Sequence, residues 1–444
     1  MSKLRLAIVG AGPAGIYAAD LLIKSELRDF DVSIDLFDLL PAPYGLVRYG
    51  VAPDHPRIKG IIRALYEVLD RGDIRFFGNV KYGVDITLDE LKQHYNAVIF
   101  ATGAVKDADL NIPGIDLEGS FGAAEFVNWY DAHPDFPRTW PLNAREVAVI
   151  GNGNVALDVA RVLAKLPEQM LATDIPANVY EGLKNSPVTD VHVFGRRGPA
   201  QVKFSPLELR EATHIEGVDC IVYDEDFQYD DASREAIDTN NQTRVMVNTL
   251  EGLREEPQNT GAKRRLHLHF FSSPVEVLGE NGKVNGFRIE RTKLDGKGGV
   301  VGTGEFRDFS VQAVYRAVGY FGSELPEIPY DSKYGVITNE GGRVSPGVYA
   351  TGWIKRGPVG LIGHTKSDAL ETINNLISDK ATWWKPSAPG EDAVVELLTS
   401  KGVEFVGWPE WLKIDAHEVA LGQAEGRERI KLVERDDFMR VAKQ

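Results

Sequence analysis

The chain has 444 residues, 43% of them hydrophobic, and a formal net charge of -15. That length suits two or three domains with large cores, and the acidic balance argues against nucleic acid, which binds to a basic face. One cysteine, Cys220, excludes an internal disulfide and points to a reducing compartment, while no run approaches the roughly 18 to 20 apolar residues of a membrane helix.

The opening K-L-R-L-A-I-V reads as a first strand, since glycines cut its apolar run far short of a signal-peptide core. No arginine-rich presequence precedes it, so the expected location is the cytoplasm, or the chain is a mature form stripped of a targeting piece. The strand leads into G-A-G-P-A-G, with Gly10, Gly12 and Gly15 at a strand-to-helix turn and Pro13 at the start of the helix. In such a loop the first glycine permits the turn, the second lets backbone approach a pyrophosphate, and the third lets helix pack on strand. V-S-I-D-L-F-D then alternates like a half-buried strand and ends on Asp38, a carboxylate placed to accept ribose hydroxyls, as in FAD or NAD sites.

The stretch P-A-P-Y-G-L-V-R-Y-G-V-A-P-D-H-P is a loop rich in Pro and Gly. Asp54 and Pro56 read as N-cap and early helical position of a segment in which Ile58, Ile61, Ile62, Leu65 and Leu69 keep helical spacing up to Gly72. Thr87 with Glu90 predicts a capping box, and A-V-I-F-A-T-G a buried parallel strand ending on Gly103.

A second loop, V-A-V-I-G-N-G-N-V-A, has Gly151 and Gly153 in the turn and Ala156 in the third glycine's place. After an insertion holding Pro167, Pro176 and Pro187, the strand V-T-D-V-H-V-F-G ends on Gly195, Arg196 and Arg197 with no acid at its tip. Two guanidiniums there suit a 2′-phosphate, so this site is expected to take NADP rather than NAD. Further on, Asn281-Gly282 between alternating stretches predicts a β-hairpin, V-Y-R-A-V-G-Y another strand, and G-V-Y-A-T-G-W-I-K-R-G-P a strand and turn leading into a helix.

The expected architecture is α/β: two Rossmann-like dinucleotide-binding domains, the NADP domain inserted into a discontinuous FAD domain, with antiparallel strands in the insert. Residues 1–106 and 325–444 would form the first domain, with a C-terminal extension, and 107–324 the second.

Taken together, P-Y-G-L-V-R-Y-G-V-A-P-D-H-P (43–56), G-N-G-N-V-A-L-D-V-A-R (151–161), G-R-R-G-P (195–199), L-E-L-R-E (207–211) and G-W-I-K-R-G-P-V-G (352–360) resemble the adrenodoxin-reductase-like ferredoxin-NADP reductases, bacterial members in particular. The resemblance implies that Gly10, Gly12, Pro13, Ala14, Gly15 and Asp38 hold the pyrophosphate and ribose of FAD. Leu46, Gly103, Gly352, Trp353, Gly360, Leu361 and Ile362 would lie around the rest of the cofactor. Asn152, Gly153, Asn154 and Val155 would cradle the NADP pyrophosphate, with Arg196 and Arg197 on its 2′-phosphate and Glu208 and Glu211 near the nicotinamide. His55 and Asp158 would form a pair that tunes the site. His364 stands where related chains carry a smaller polar residue.

The activity implied is hydride transfer from NADPH to FAD, followed by one-electron transfers to an iron-sulfur ferredoxin that supplies oxygenases such as haem-thiolate monooxygenases. A monomer is expected, without membrane or nucleic-acid partner. Basic candidates for the ferredoxin face are Arg210, Arg244, Lys263, Arg264, Arg265, Lys355 and Arg356. A flavin disulfide reductase would need a cysteine pair, and Cys220 is alone. The other alternative is an NADPH-binding flavoprotein sensor without turnover. No metal site is expected, because the two imidazoles of L-H-L-H, His267 and His269, only share a strand face.

Overall fold

The computed structural model describes residues 3–256, 260–360 and 362–444. The chain divides into two compact units, one of Met1–Lys106, Asp131–Asp135 and Tyr320–Gln444, the other of Asp107–Tyr130 and Phe136–Gly319. The return to the first unit comes at Tyr320 rather than at residue 325, because Val105 donates its N–H to the Phe321 carbonyl at 3.0 Å and fastens outgoing to returning chain. Asp131–Asp135 belongs to the first unit because Lys431 bonds both the carbonyl and the carboxylate of Asp131.

The first unit is built on a six-stranded sheet, in spatial order Arg343–Ser345, Val348–Ala350, Ala97–Phe100, Lys3–Val9, Asp31–Phe37 and Ile74–Phe77. All neighbours are parallel except the first two strands. Leu6 and Ile8 enter one hydrophobic cluster and Ala7 and Val9 another, so both faces are covered and the first strand reads as a continuous apolar run. Chain leaves the Lys3–Val9 strand toward Asp31–Phe37 on one side and later returns as Ala97–Phe100 on the other. That reversal is the topological switch at whose carboxyl edge dinucleotides bind.

Local signals account for much of this unit. The Thr87 hydroxyl caps Glu90, whose carboxylate reaches back to the Thr87 N–H at 2.8 Å. The helix expected beyond Asp54 is capped at His55 instead, and runs as Pro56–Lys59 and Ile62–Leu69. Between these pieces Ile61 bonds back to Ile58 and Arg63 to Gly60, so the spiral tightens around Gly60. Leu46–Tyr49, inside the Pro- and Gly-rich loop, is a helical turn that its composition conceals.

The second unit carries a six-stranded parallel sheet, in order Ser120–Gly122, Ala313–Arg316, Glu146–Ile150, Asp190–Phe194, Arg264–His269 and Val218–Val222. Beside it lies a separate antiparallel sheet of Ser272–Glu280, Lys283–Leu294 and Val300–Phe309. Its first turn has Asn281 and Gly282 at φ 54° and 79°, the doubly left-handed pair of a tight hairpin. Helices Asp231–Thr239 and Asn241–Glu255 precede Arg264–His269, in a stretch with no strong sequence signal. Among the described residues no helix is long and apolar enough to cross a membrane.

The parallel register sets His192 opposite His267, so His192 joins the two imidazoles of L-H-L-H on one buried face. The His192 ring stacks on His267 with centroids 4.2 Å apart, and His192 Nδ1 lies 3.0 Å from His269 Nε2. His267 contacts Asp190 through Nε2 at 2.9 Å and the Tyr223 hydroxyl through Nδ1 at 2.8 Å. The three rings lie within 25° of parallel, and one ring nitrogen from each lies within 4.8 Å of the others, so register brings together an imidazole cluster that L-H-L-H alone does not announce.

Burial pushes His192 down to about 3 and His269 well below its usual value. The unfolded chain therefore takes up protons near pH 6.5 that the folded His192 refuses until about 3, so stability falls with pH across that window. Buried Asp38, Asp107 and Asp226, raised to about 6, act in the opposite sense. Comparison of wild type with His192→Phe isolates the imidazole: chemical unfolding between about pH 6 and pH 4 should lose roughly 1.4 kcal/mol per pH unit of slope. An unchanged slope would contradict the burial of a neutral ring.

Candidate functional site: two dinucleotide cradles

In the first unit Gly10 has φ +114°, and a Cβ there would lie 2.4 Å from the Ala101 carbonyl oxygen. A Cβ on Gly15 would lie 2.0 Å from the Gly10 oxygen, so the third glycine lets the helix Pro13–Lys24 sit directly on the turn. Gly12 differs. Its nearest neighbour is Gly45 Cα at 3.8 Å, and it stands as N-cap with no side-chain bond to the first helical turn. Its open approach and uncapped amides are what an anionic pyrophosphate requires.

Asp38 accepts the Ala11 N–H at 2.7 Å and the Leu40 N–H at 2.9 Å. It thereby ties the end of the second strand to the glycine loop, and burial raises it to about 6. A carboxylate has about four acceptor positions, so two remain for ribose hydroxyls. Around this loop the structure gathers several expected residues. A Cβ on Gly352 would meet the Ala14 methyl at 2.6 Å, and Gly45, just before Leu46, touches Gly12. Leu46 and Trp353 are half-buried. Gly103, at φ +73°, has open space where a Cβ would stand. Gly360 is exposed beside the His364 ring and precedes the helix Ile362–Ser378; Leu361 lies outside the described residues.

Asp368 also shapes this region without any local sequence signal. Asp368 accepts the Gly352 N–H at 2.6 Å and pairs with Lys355 at 3.0 Å, so it sets the turn that carries Trp353.

The second cradle repeats the first. Gly151 would place a Cβ 2.3 Å from the Ala317 carbonyl oxygen, whereas Gly153 has nothing within 4 Å and caps the helix Asn154–Ala164 without a side-chain bond. Ala156 fills the third-glycine position, and its methyl would lie 3.2 Å from a Cβ on Gly151, a second reason that residue is glycine. The side chain of Asn152 lies over Gly195, and Asn154 Oδ1 accepts the Ser205 N–H at 2.8 Å, joining the loop to the helix Pro206–Thr213. Val155 is half-buried in the first turn of its helix.

Arg196 is exposed and Arg197 half-buried, and among the described residues neither forms an ion pair. Their backbone is nonetheless fixed, since the Arg196 carbonyl accepts the Thr292 hydroxyl at 2.7 Å and the Arg197 carbonyl the Phe271 N–H at 3.1 Å. Two guanidiniums on a rigid turn are available to a phosphate. Glu208 is buried and Glu211, three residues on, half-buried on the same helix. Fully buried Arg161 links Asp158 at 2.7 Å and Glu208 at 3.5 Å, a triad the motif contains but spacing does not announce. His55 is buried at the N-cap of Pro56–Lys59 in the first unit, and Asp158 belongs to the second.

The basic docking set is smaller than expected. Arg264 is buried on the Leu163 and Lys165 carbonyls, Arg265 is paired with Asp190, and Lys355 is buried between Asp368 and Glu371. Arg356 lies 3.7 Å from Asp368. Arg210, Arg244 and Lys263 remain exposed.

A parallel sheet with a pyrophosphate cradle at its switch point, present twice in one chain, defines a two-dinucleotide oxidoreductase. The model of the pyridine nucleotide-disulphide oxidoreductases matches residues 4–359, and the chain belongs to that family. It is 40% identical to NADPH-ferredoxin reductase FprA of Mycobacterium tuberculosis, covering 99% of both chains. Human mitochondrial NADPH:adrenodoxin oxidoreductase is 38% identical over 98% of this chain and 91% of its own. The structure of Mycobacterium tuberculosis FprA in complex with NADPH superposes with a TM-score of 0.92 at 38% identity, over the whole of both chains.

The two glycines of the second turn should separate folding from binding. Gly153→Ala is expected to keep the wild-type melting temperature and weaken NADPH binding about tenfold or more, while Gly151→Ala lowers the melting temperature by several degrees. Thermal unfolding and NADPH titration check both. Equal effects of the two substitutions on melting would contradict the assignment of Gly153 to the open side.

Proposed function

We propose that the chain is an FAD-containing NADPH-ferredoxin reductase. The observation that carries this reading is the contrast between the cradle tips, a buried carboxylate at Asp38 in one and, in the other, Arg196 and Arg197, which form no ion pair among the described residues. Chain-long identity of 40% to a protein named NADPH-ferredoxin reductase supports it. When bound, FAD takes an electron pair from NADPH and passes electrons singly to an iron-sulfur acceptor.

The protein's own residues bind and orient. Gly10, Gly12, Pro13, Ala14 and Gly15 offer a close backbone approach to the FAD pyrophosphate, the Gly10 N–H being held by the Phe37 carbonyl and Pro13 having none, and Asp38 accepts from its ribose. Leu46, Gly103, Gly352, Trp353 and Gly360, with Leu361 and Ile362, are assigned to the flavin end. The helix Ile362–Ser378 begins there, and a helix N-terminus favours negative charge nearby. Asn152, Gly153, Asn154 and Val155 take the NADP pyrophosphate, and Arg196 with Arg197 its 2′-phosphate. Glu208 and Glu211 are assigned to the nicotinamide side, where Arg161 fixes Glu208, and Asp158, also held by Arg161, is assigned with His55 to tuning of the site. His55 is assigned to electrostatic support of the flavin.

With Cys220 alone, the chain has no dithiol to cycle, so its acceptor is not a disulfide substrate. Ferredoxin electrons would continue to oxygenases such as haem-thiolate monooxygenases. The residues assigned to each cradle all come from one chain, which supports a monomer, and the lone cysteine supports a cytoplasmic setting.

Steady-state reduction of ferredoxins encoded in the same genome tests the partner. Turnover with at least one is expected, and activity toward ferricyanide but none of them would contradict it. Coenzyme choice tests the second cradle. Replacing Arg196 and Arg197 together with serine removes charge-assisted bonds worth about 1.5 to 3 kcal/mol each, so the NADPH to NADH ratio of kcat/KM should fall by roughly two to four powers of ten. An unchanged ratio would overturn the phosphate assignment.

A further inference from the structure

The turn Pro43–Gly50 is held in a conformation that its own sequence does not favour. Tyr44 has φ +84° and Gly45 φ +50°, and a tyrosine stays in the left-handed region only where its surroundings hold it. One hold is the glycine loop, since Tyr44 donates its N–H to the Ala11 carbonyl at 2.8 Å. The other is the far end of the chain. The Tyr44 ring meets Trp411 edge-on at 6.0 Å, and Trp411 lies on the helix Trp408–Ala424 two turns before Glu418.

Glu418 takes the Arg48 guanidinium through two bonds, at 2.5 and 3.0 Å, with Arg48 4% and Glu418 0% exposed. The carboxylate is itself fixed by the Leu432 N–H at 2.8 Å and Arg429 at 3.2 Å. Lys431 completes the clamp by donating to the Arg48 carbonyl at 2.7 Å. Side chain and backbone of Arg48 are thus both gripped by the C-terminal segment, and Leu46 lies in the same helical turn.

We infer that the C-terminal segment from Gly407 onward is a working part of the flavin site, with Glu418 and Lys431 as positioning residues that set Leu46 and the face of Gly12 through Arg48. The inference rests on the assignment of the first cradle to FAD. A buried ion pair adds little net stability over an apolar replacement, yet it fixes one geometry, and here the geometry fixed is a turn against the pyrophosphate loop.

The test compares Glu418→Gln and Lys431→Met with Asp35→Asn, which removes a buried carboxylate bonded to Arg5, Arg75 and Tyr95 in the same unit. FAD dissociation constants and visible circular dichroism of bound flavin are measured on full-length chain at a temperature where far-ultraviolet dichroism is native for every variant. Both clamp variants should bind FAD about tenfold or more weakly and alter the flavin dichroism, whereas Asp35→Asn lowers the melting temperature with neither change. If Glu418→Gln does not fold, Lys431→Met decides alone. Folded clamp variants with wild-type FAD affinity and dichroism would overturn the inference while leaving the FAD assignment intact. A wild-type chain that binds no FAD would overturn both.

Discussion

One steric constraint, met twice, organises the molecule. In each unit the strand before the glycine loop turns into its helix against the carbonyl that follows a neighbouring parallel strand, that of Ala101 in one and Ala317 in the other. A Cβ at Gly10 or Gly151 would stand 2.4 or 2.3 Å from those oxygens. The turn can be this tight only without a side chain, and its tightness aims the helix start at the carboxyl edge of the sheet. The open sides of Gly12 and Gly153, the uncapped helical amides and the tips of the second strands all take their places from it. What distinguishes the two sites chemically is then a matter of a few side chains on a shared scaffold.

Those few side chains are also what the sequence makes legible. Glycine loop, Asp38 and the Arg196-Arg197 tip are read from positions close in the chain, where strand, turn and helix periodicities fix geometry. The capping box at Thr87 and the Asn281-Gly282 hairpin are legible for the same reason. Arg161, Asp368 and the Arg48–Glu418 pair escape such reading because each works through a contact made by tertiary packing, across 47, 16 and 370 positions respectively. The histidine stack depends on register between strands, and no pattern within L-H-L-H shows that His192 will lie opposite.

Charge shows the opposite failure. A run such as Lys263-Arg264-Arg265 looks like a docking patch in sequence, yet strand alternation sends Arg264 inward to carbonyl oxygens and Arg265 to Asp190. Lys355 is likewise committed to Asp368 and Glu371. Basic residues next to a motif are spent on internal structure as readily as on a partner. That Arg196 and Arg197 form no ion pair among the described residues therefore carries more weight than their mere presence.

The central claim is that one chain holds two different dinucleotides at once. Equilibrium titration of flavin-loaded protein with NADP+, with FAD and protein quantified in the same sample, tests it most directly. The account predicts one FAD per chain retained throughout and one further NADP+ bound per chain. Displacement of FAD by NADP+, or saturation with only a single dinucleotide per chain, would contradict it.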